Sequence, residues 1–240
     1  MKETAKDVIS SLEMYLNPDV FRREEALRSV REALAGGRLV VIRNATREAF
    51  AERMFQCLDA ASDWGVYEKY QDHFHYHHHN LYERKLFPTD LAWCGAIFAS
   101  EPTRNFMQRL SGRDCSGETD FSASWYLPGD HSLPHNDYVD NGDGDTRQLA
   151  FVWHLTRNWH PTWGGDFFWC PASRYLSPTF NTLLLFTVGP ESYHFVTHVS
   201  PYARSKRLAV NGWWTSKRQS LAAPRQRQPP AGGGPVVEVI

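Results

Sequence analysis

The sequence predicts an α+β domain, with helices first and antiparallel strands after. Three observations lead there. Residues before about 112 carry apolar positions at helical spacing. Residues after it fall into short runs rich in Val, Phe, Trp and Thr. Turn signals (PGD, WGG, VGP) separate those runs. Helices segregated ahead of an antiparallel sheet pack against one of its faces.

The first helix is predicted over residues 21–37, FRREEALRSVREALAGG, ending on Gly36-Gly37. RLVVIRN (38–44) is β-branched and reads as a short buried strand. A second helix is expected over 46–62, with Thr46 as its N-cap, and another over 101–112. Six strand-like runs follow: 120–129, 147–156, 165–170, 181–188, 194–199 and 207–214. Such spacing fits an antiparallel sandwich or barrel. From about Gln219 the chain turns to Pro, Arg, Gln and Gly, so 219–240 is expected to be a disordered tail, with VVEVI at its end the one exception. The predicted organisation is one domain over 1–218, helical to about 112 and strand-rich over 113–218.

Composition narrows the function classes. The chain has 240 residues, 42% apolar and 22% charged, with a net charge of −1. That is ordinary for a globular domain and gives no electrostatic reason for a nucleic-acid or anionic-membrane partner. Aromatic residues reach 14%, including nine Trp, which fits a core plus a lined pocket. Cys57, Cys94, Cys115 and Cys170 form no CxxC pair and read as reduced, mostly buried thiols. The opening MKETAKDVISSLEMYL has no apolar signal core, and no run approaches a membrane span. A cytoplasmic protein, monomer or homodimer, is expected.

The chemistry concentrates at His135-Asn136-Asp137. In an extended segment, residues two apart share a face, so His135 and Asp137 can reach one cation. His194, 57 residues after Asp137 and heading HFVTHV, is the expected third ligand. Two His and one carboxylate on one face of an octahedron make the facial triad of non-haem Fe(II) oxygenases. Arg207, at the head of RLAVNGWW, offers a fork of donors suited to a carboxylate. An oxo-acid that chelates iron at one end needs such an anchor at the other, and 2-oxoglutarate has that shape.

The flanking residues carry a family resemblance. Tyr126-Leu-Pro-Gly-Asp130 through His135-Asn-Asp137 resembles the Y-x-P-G-D…P-H-x-D segment of prolyl-4-hydroxylase-like 2-oxoglutarate/Fe(II) dioxygenases. Residues 154–167, with Trp163-Gly-Gly-Asp166, resemble the family's W-G-G-E/D turn. Asn181–Phe186, Ser192–Val196 and Arg207–Trp213 resemble its N-x-L-x-x-F, S-x-H-x-V and R-x-x-x-x-G-W elements. The match runs over about 121–214 in the family's order.

The resemblance implies a double-stranded β-helix core of jelly-roll, cupin-like form, with the N-terminal helices on one sheet. It implies iron ligation by His135, Asp137 and His194, and 2-oxoglutarate binding by Arg207 with help from Tyr126. HVSPYARSK is about a residue longer than usual, which leaves Arg204 as a competing anchor. The implied activity is hydroxylation, desaturation or cyclisation at an unactivated C–H, with 2-oxoglutarate and O2 consumed and succinate and CO2 released. Family members that halogenate lack the carboxylate, so Asp137 implies one of these outcomes rather than halogenation.

Substrate residues follow from a second resemblance. The relative positions of Glu118, Asn211 and Trp213 are similar to those in carrier-free amino-acid oxygenases of the lysine halogenase and hydroxylase type. A free amino acid or related natural-product metabolite is therefore the expected substrate. A prolyl-type protein hydroxylase is the alternative, and a non-catalytic ligand-sensing jelly roll is the alternative from another class. The segment 71–82 holds five His in seven residues, read as a polar, aromatic pocket-lining or surface segment rather than a second metal site. His78, His79 and Asn80 are its pocket candidates. Arg84 or Arg147 is the expected partner of a substrate carboxylate. Asp140–Asp145 is read as a flexible turn, since it lacks the distal Glu of a Ca²⁺ loop.

Overall fold

The computed structural model describes residues 10–71, 74–138, 146–217 and 237–240. The Asp140–Asp145 turn and most of the tail lie outside them. Among the described residues the helices are α1 (Pro18–Phe21), α2 (Glu24–Ala35), α3 (Glu48–Ala60), α4 (Thr89–Ala99) and α5 (Glu101–Ser111). The strands are β1 (Val40–Arg43), β2 (Gly65–Gln71), β3 (Phe74–Leu81), β4 (Thr119–Tyr126), β5 (His131–His135), β6 (Thr146–His154), β7 (Phe167–Trp169), β8 (Arg174–Leu176), β9 (Thr182–Thr187), β10 (His194–Val196), β11 (Arg207–Ser216) and β12 (Val237–Val239). No described helix is long and apolar enough to cross a membrane.

The strands form one curled antiparallel sheet, in the order β12-β1-β9-β6-β11-β4-β3-β5-β10-β7-β8, with β2 paired to β3. The curl turns on β3. Its C-terminal half pairs with β4 (Asn80 opposite Ser124), and its N-terminal half pairs with β5 (Tyr76 opposite Ser132). One strand thus joins the larger sheet to the smaller and wraps them around a common interior. This is the curled form of the predicted double-stranded β-helix.

Alternation along the strands divides the core in two. Leu183, Leu185, Leu208, Val210, Trp153 and Trp214 face outward and pack against Val30, Leu34, Met54, Leu58, Ile97, Phe98 and Met107 of the helices. Leu184, Phe186, Phe167 and Trp169 face inward. The run 183–186 is buried on both faces, which is why it is apolar throughout rather than alternating. Full burial of each such side chain contributes about 1.5–3 kcal/mol. Gly212 lets β11 lie close to β4, because a Cβ there would meet the Asp120 carbonyl at 2.0 Å.

Several expectations change. The first half carries the expected helices and the expected strand β1, together with two strands, β2 and β3, that were not expected. The His-rich segment is strand β3, concealed in the sequence because imidazoles occupy positions where a strand would show Val or Ile. Helix α4 was missed because TDLAWCGAIFA is apolar on every side and gives no period. Thr46 does not cap α3; Arg47 holds that position without a side-chain capping bond. Thr46 instead donates to Asn181 Oδ1 at 2.9 Å, and Asn181 also accepts from the Trp153 indole, pinning the start of β9 to the β1–α3 corner. Within VVEVI, the stretch excepted from the tail, Val237–Val239 adds to the sheet beside β1. Among the four free thiols, Cys94 and Cys115 are buried and Cys57 and Cys170 are half-buried.

Candidate active site

The interior of the curled sheet holds a cavity of about 690 Å³ that opens to solvent past exposed Tyr67, Tyr82, Tyr138 and Tyr193. The candidate metal centre lies at one place on its wall. β5 ends on His135, and the antiparallel register puts His194 of β10 directly opposite. Asp137 follows in the left-handed region, with φ 59°, which turns its carboxylate back between the two rings. His135 Nε2 lies 3.5 Å from Asp137 Oδ1, and His194 Nε2 lies 3.5 Å from Asp137 Oδ2. One donor atom from each residue falls within 4.8 Å of the others.

The donor set fits a divalent cation. His135 Nδ1–H donates to the Leu133 carbonyl at 2.7 Å, and His194 Nδ1–H donates to the Ser192 carbonyl at 2.9 Å. Each bond sets the tautomer that leaves Nε2 as a lone-pair donor. Burial, with His194 adding to it, lowers the His135 pKa to about 4, so its imidazole is neutral at pH 7, as a ligand must be. Burial works against ionising Asp137, but His194, His135, Arg147 and the Trp213 N–H outweigh it and hold the carboxyl below its ordinary range. The Trp213 indole donates to Asp137 Oδ2 at 3.0 Å. Arg147 stacks over that indole at 3.7 Å and stands 3.8 Å from Oδ1.

Another part of the wall is built for an anion. Register aligns Tyr126 of β4 with Arg207 of β11, both buried. The guanidinium sits 4.4 Å from the Tyr126 ring, and its Nε donates to the Gly165 carbonyl. Gly165, at φ +66°, is required there, since a Cβ would meet Arg207 Cδ at 2.8 Å. Arg207 makes no ion pair among the described residues. Burial lowers its pKa to about 10, with Tyr126 and Asp166 pulling the other way. A buried cation without a paired carboxylate calls for an anionic ligand.

Of the residues expected at the site, His135, Asp137 and His194 come together, and Arg207 and Tyr126 line the same cavity. Arg204 is exposed, whereas Arg207 is buried. Asn80, Asn211, Trp213 and Arg147 line the cavity. Trp213 reaches Asp137, a contact the sequence did not indicate. His79 faces away from the cavity and binds Asp130. Glu118 is exposed just before β4 and lies off the cavity wall, its backbone carbonyl accepting from Thr215. Arg84 donates to the Thr119 carbonyl and is also off the wall.

Two imidazoles near Arg207 stand out from the structure. His78 lines the cavity, and both ring nitrogens of His154 are buried with no hydrogen-bond partner among the described residues. Burial, with Arg207 beside them, lowers His78 to about 3 and pushes His154 well down. Period-two alternation could have found both. His78 shares a face with Asn80, and His154 shares one with Val152 and Ala150.

A curled antiparallel sheet enclosing two His and one Asp presents the 2-His-1-carboxylate donor set on which non-haem Fe(II) oxygenases are built. Residues 121–215 match the family described as the 2OG-Fe(II) oxygenase superfamily, and this stretch carries His135, Asp137, His194 and Arg207. The prolyl 3-hydroxylase OGFOD1 of Mus musculus is 27% identical over 157 residues, which cover 62% of this chain and 27% of that protein. The chain spans 19–27% of the length of the curated relatives it matches. A Pseudomonas putida prolyl-4-hydroxylase shares the fold at TM-score 0.60 and 17% identity, covering 80% of this chain and 99% of its own. A Trichoplax adhaerens prolyl hydroxylase, solved with a hypoxia inducible factor peptide fragment, gives TM-score 0.59 at 15% identity, covering 85% and 96%.

Proposed function

We propose that this protein hydroxylates a prolyl-type residue of a protein or peptide, with Fe(II), 2-oxoglutarate and O2. The observation that carries the reading is the open mouth of the cavity, where four exposed tyrosines stand around an entrance leading to the triad. Flat aromatic rings with a polar tip suit a polypeptide segment that enters side-on. The relatives named as prolyl hydroxylases support the same reading. It replaces the free amino acid expected from the sequence. The residues that pointed there divide, with Asn211 and Trp213 on the wall and Glu118 off it.

His135, Asp137 and His194 would hold the iron, which when bound supplies the C–H oxidation as 2-oxoglutarate is converted to succinate and CO2. Arg207 and Tyr126 would hold the 2-oxoglutarate carboxylate remote from the metal. Trp213 and Arg147 keep Asp137 ionised and oriented. Val152, Phe167 and Phe186 make an apolar wall that limits water beside the reacting carbon. Asp137 occupies the position a halide would need, so oxygen rather than halogen is transferred. The balance is one oxygen atom of O2 to the substrate C–H and the other to succinate.

Mass spectrometry tests this. Protein loaded with Fe(II) and 2-oxoglutarate is incubated with proline-containing peptides and, separately, with free amino acids. The expected result is one added oxygen on peptide prolyl residues, matched by succinate, and lost in His135→Ala. Oxidation of free amino acids alone would overturn the substrate. Tight 2-oxoglutarate binding with no succinate across both panels would instead favour a ligand sensor.

A further inference from the structure

One buried nitrogen on the cavity wall has no assigned task. His78 Nδ1 is shielded from solvent and has no hydrogen-bond partner among the described residues. Buried polar atoms are nearly always paired, so an orphan beside a ligand cavity marks a place that a ligand completes. Its position is specific. In the β3–β4 register His79 opposes Trp125, which puts His78 level with Tyr126, and Tyr126 is level with Arg207. The three side chains form one row across three strands. The His78 ring lies flat on the Tyr126 ring, with centroids 4.8 Å apart and planes 4° apart.

We propose that His78 is a co-substrate-binding residue, whose Nδ1–H donates to the 2-oxoglutarate carboxylate that Arg207 binds. A carboxylate offers about four acceptor positions, and one guanidinium fork fills two. The next donor must stand in the same row without adding a second positive charge beside Arg207. A neutral imidazole meets both needs. Burial and the neighbouring guanidinium keep His78 uncharged at pH 7. Stacking on Tyr126 fixes the ring plane before the ligand arrives. The assignment rests on the 2-oxoglutarate reading of the site.

The experiment is equilibrium binding of 2-oxoglutarate to the Mn(II)-loaded full chain by calorimetry. Pyruvate, which has the chelating end but no distal carboxylate, is the control. His78→Phe keeps the stack on Tyr126 and removes the donor. It should weaken 2-oxoglutarate about ten- to a hundredfold, as expected for a hydrogen bond to a charged group, and leave pyruvate unchanged. His78→Gln, which keeps an N–H, should recover part of the loss. In the unmutated Zn(II)-loaded protein, the imidazole ¹⁵N resonances of His78 should move on adding 2-oxoglutarate and not on adding pyruvate. This readout needs no variant to fold. An unchanged constant in His78→Phe, equal losses for both ligands, or unmoved resonances would overturn the proposal. Failure of the unmutated protein to bind 2-oxoglutarate would overturn the co-substrate reading itself, and this with it.

Discussion

Trp213 touches the candidate metal centre through a single hydrogen bond, yet that bond selects which carboxylate oxygen faces where. Its indole N–H holds Asp137 Oδ2, and Arg147 covers the indole from above. Partners of metal ligands typically contribute ten- to a hundredfold to metal affinity. Trp213→Phe keeps an aromatic face for Arg147 and removes only the donor. It should weaken Fe(II) or Mn(II) about tenfold in a metal titration, with the melting temperature of the metal-free protein little changed. Unchanged metal affinity would leave Trp213 as cavity wall only. At this scale the residue types of the metal centre were legible, because a cation needs His and carboxylate at suitable spacing. The donor to Asp137 was not, since a Trp 76 residues away has no local pattern tying it to a ligand.

Among the elements, β12 and β3 take roles that only strand pairing fixes. β12 adds three residues beside β1, with backbone bonds in both directions between Leu39 and Ile240 and an ion pair from Arg174 to Glu238. It lies at the edge of the larger sheet, and none of its residues lines the cavity. Deleting 237–240 should therefore cost about 1–2 kcal/mol, which for this chain length lowers the melting temperature by roughly 2–8 °C. The 2-oxoglutarate dissociation constant should stay within about twofold. A large loss of binding would show that the edge strand supports the site. β3 does support it, sending Tyr76, His78 and Asn80 into the cavity and His75, His77 and His79 to the other face. Its imidazoles read in the sequence as a polar, aromatic pocket-lining or surface segment, although the spacing of two in His73, His75, His77 and His79 is that of a strand.

Across the whole molecule, burying neutral imidazoles makes stability depend on pH. His78 and His154 have folded-state pKa values below the ordinary 6.5, to about 3 for His78 and well down for His154. The unfolded chain therefore binds more protons as pH falls below about 6.5, and stability is lost in that direction. Their contribution is fully present above about 6.5 and falls as pH drops toward the folded values, with a slope on the order of 1.4 kcal/mol per pH unit for each group. Urea unfolding of the metal-free protein at pH 7.0, 6.0 and 5.0 should show a midpoint that falls with pH. Replacing His154 with Phe should flatten that dependence. A midpoint indifferent to pH over this range would show that these rings are solvated.

The sequence by itself determined the α+β order, the alternating strands, and which residue types stand at His135, Asp137, His194 and Arg207. These are legible because each follows from local period or from the chemistry of one side chain. Tertiary structure alone decided that β3 bridges the two sheets, that Arg207 and not Arg204 is buried, and that His79 and Glu118 lie off the cavity wall. It also brought His78 level with Tyr126 and Arg207, and Trp213 against Asp137. The physical reason is strand register. Pairing between distant segments fixes which side chains share a row, and a shift of one residue would send every one of them to the opposite face.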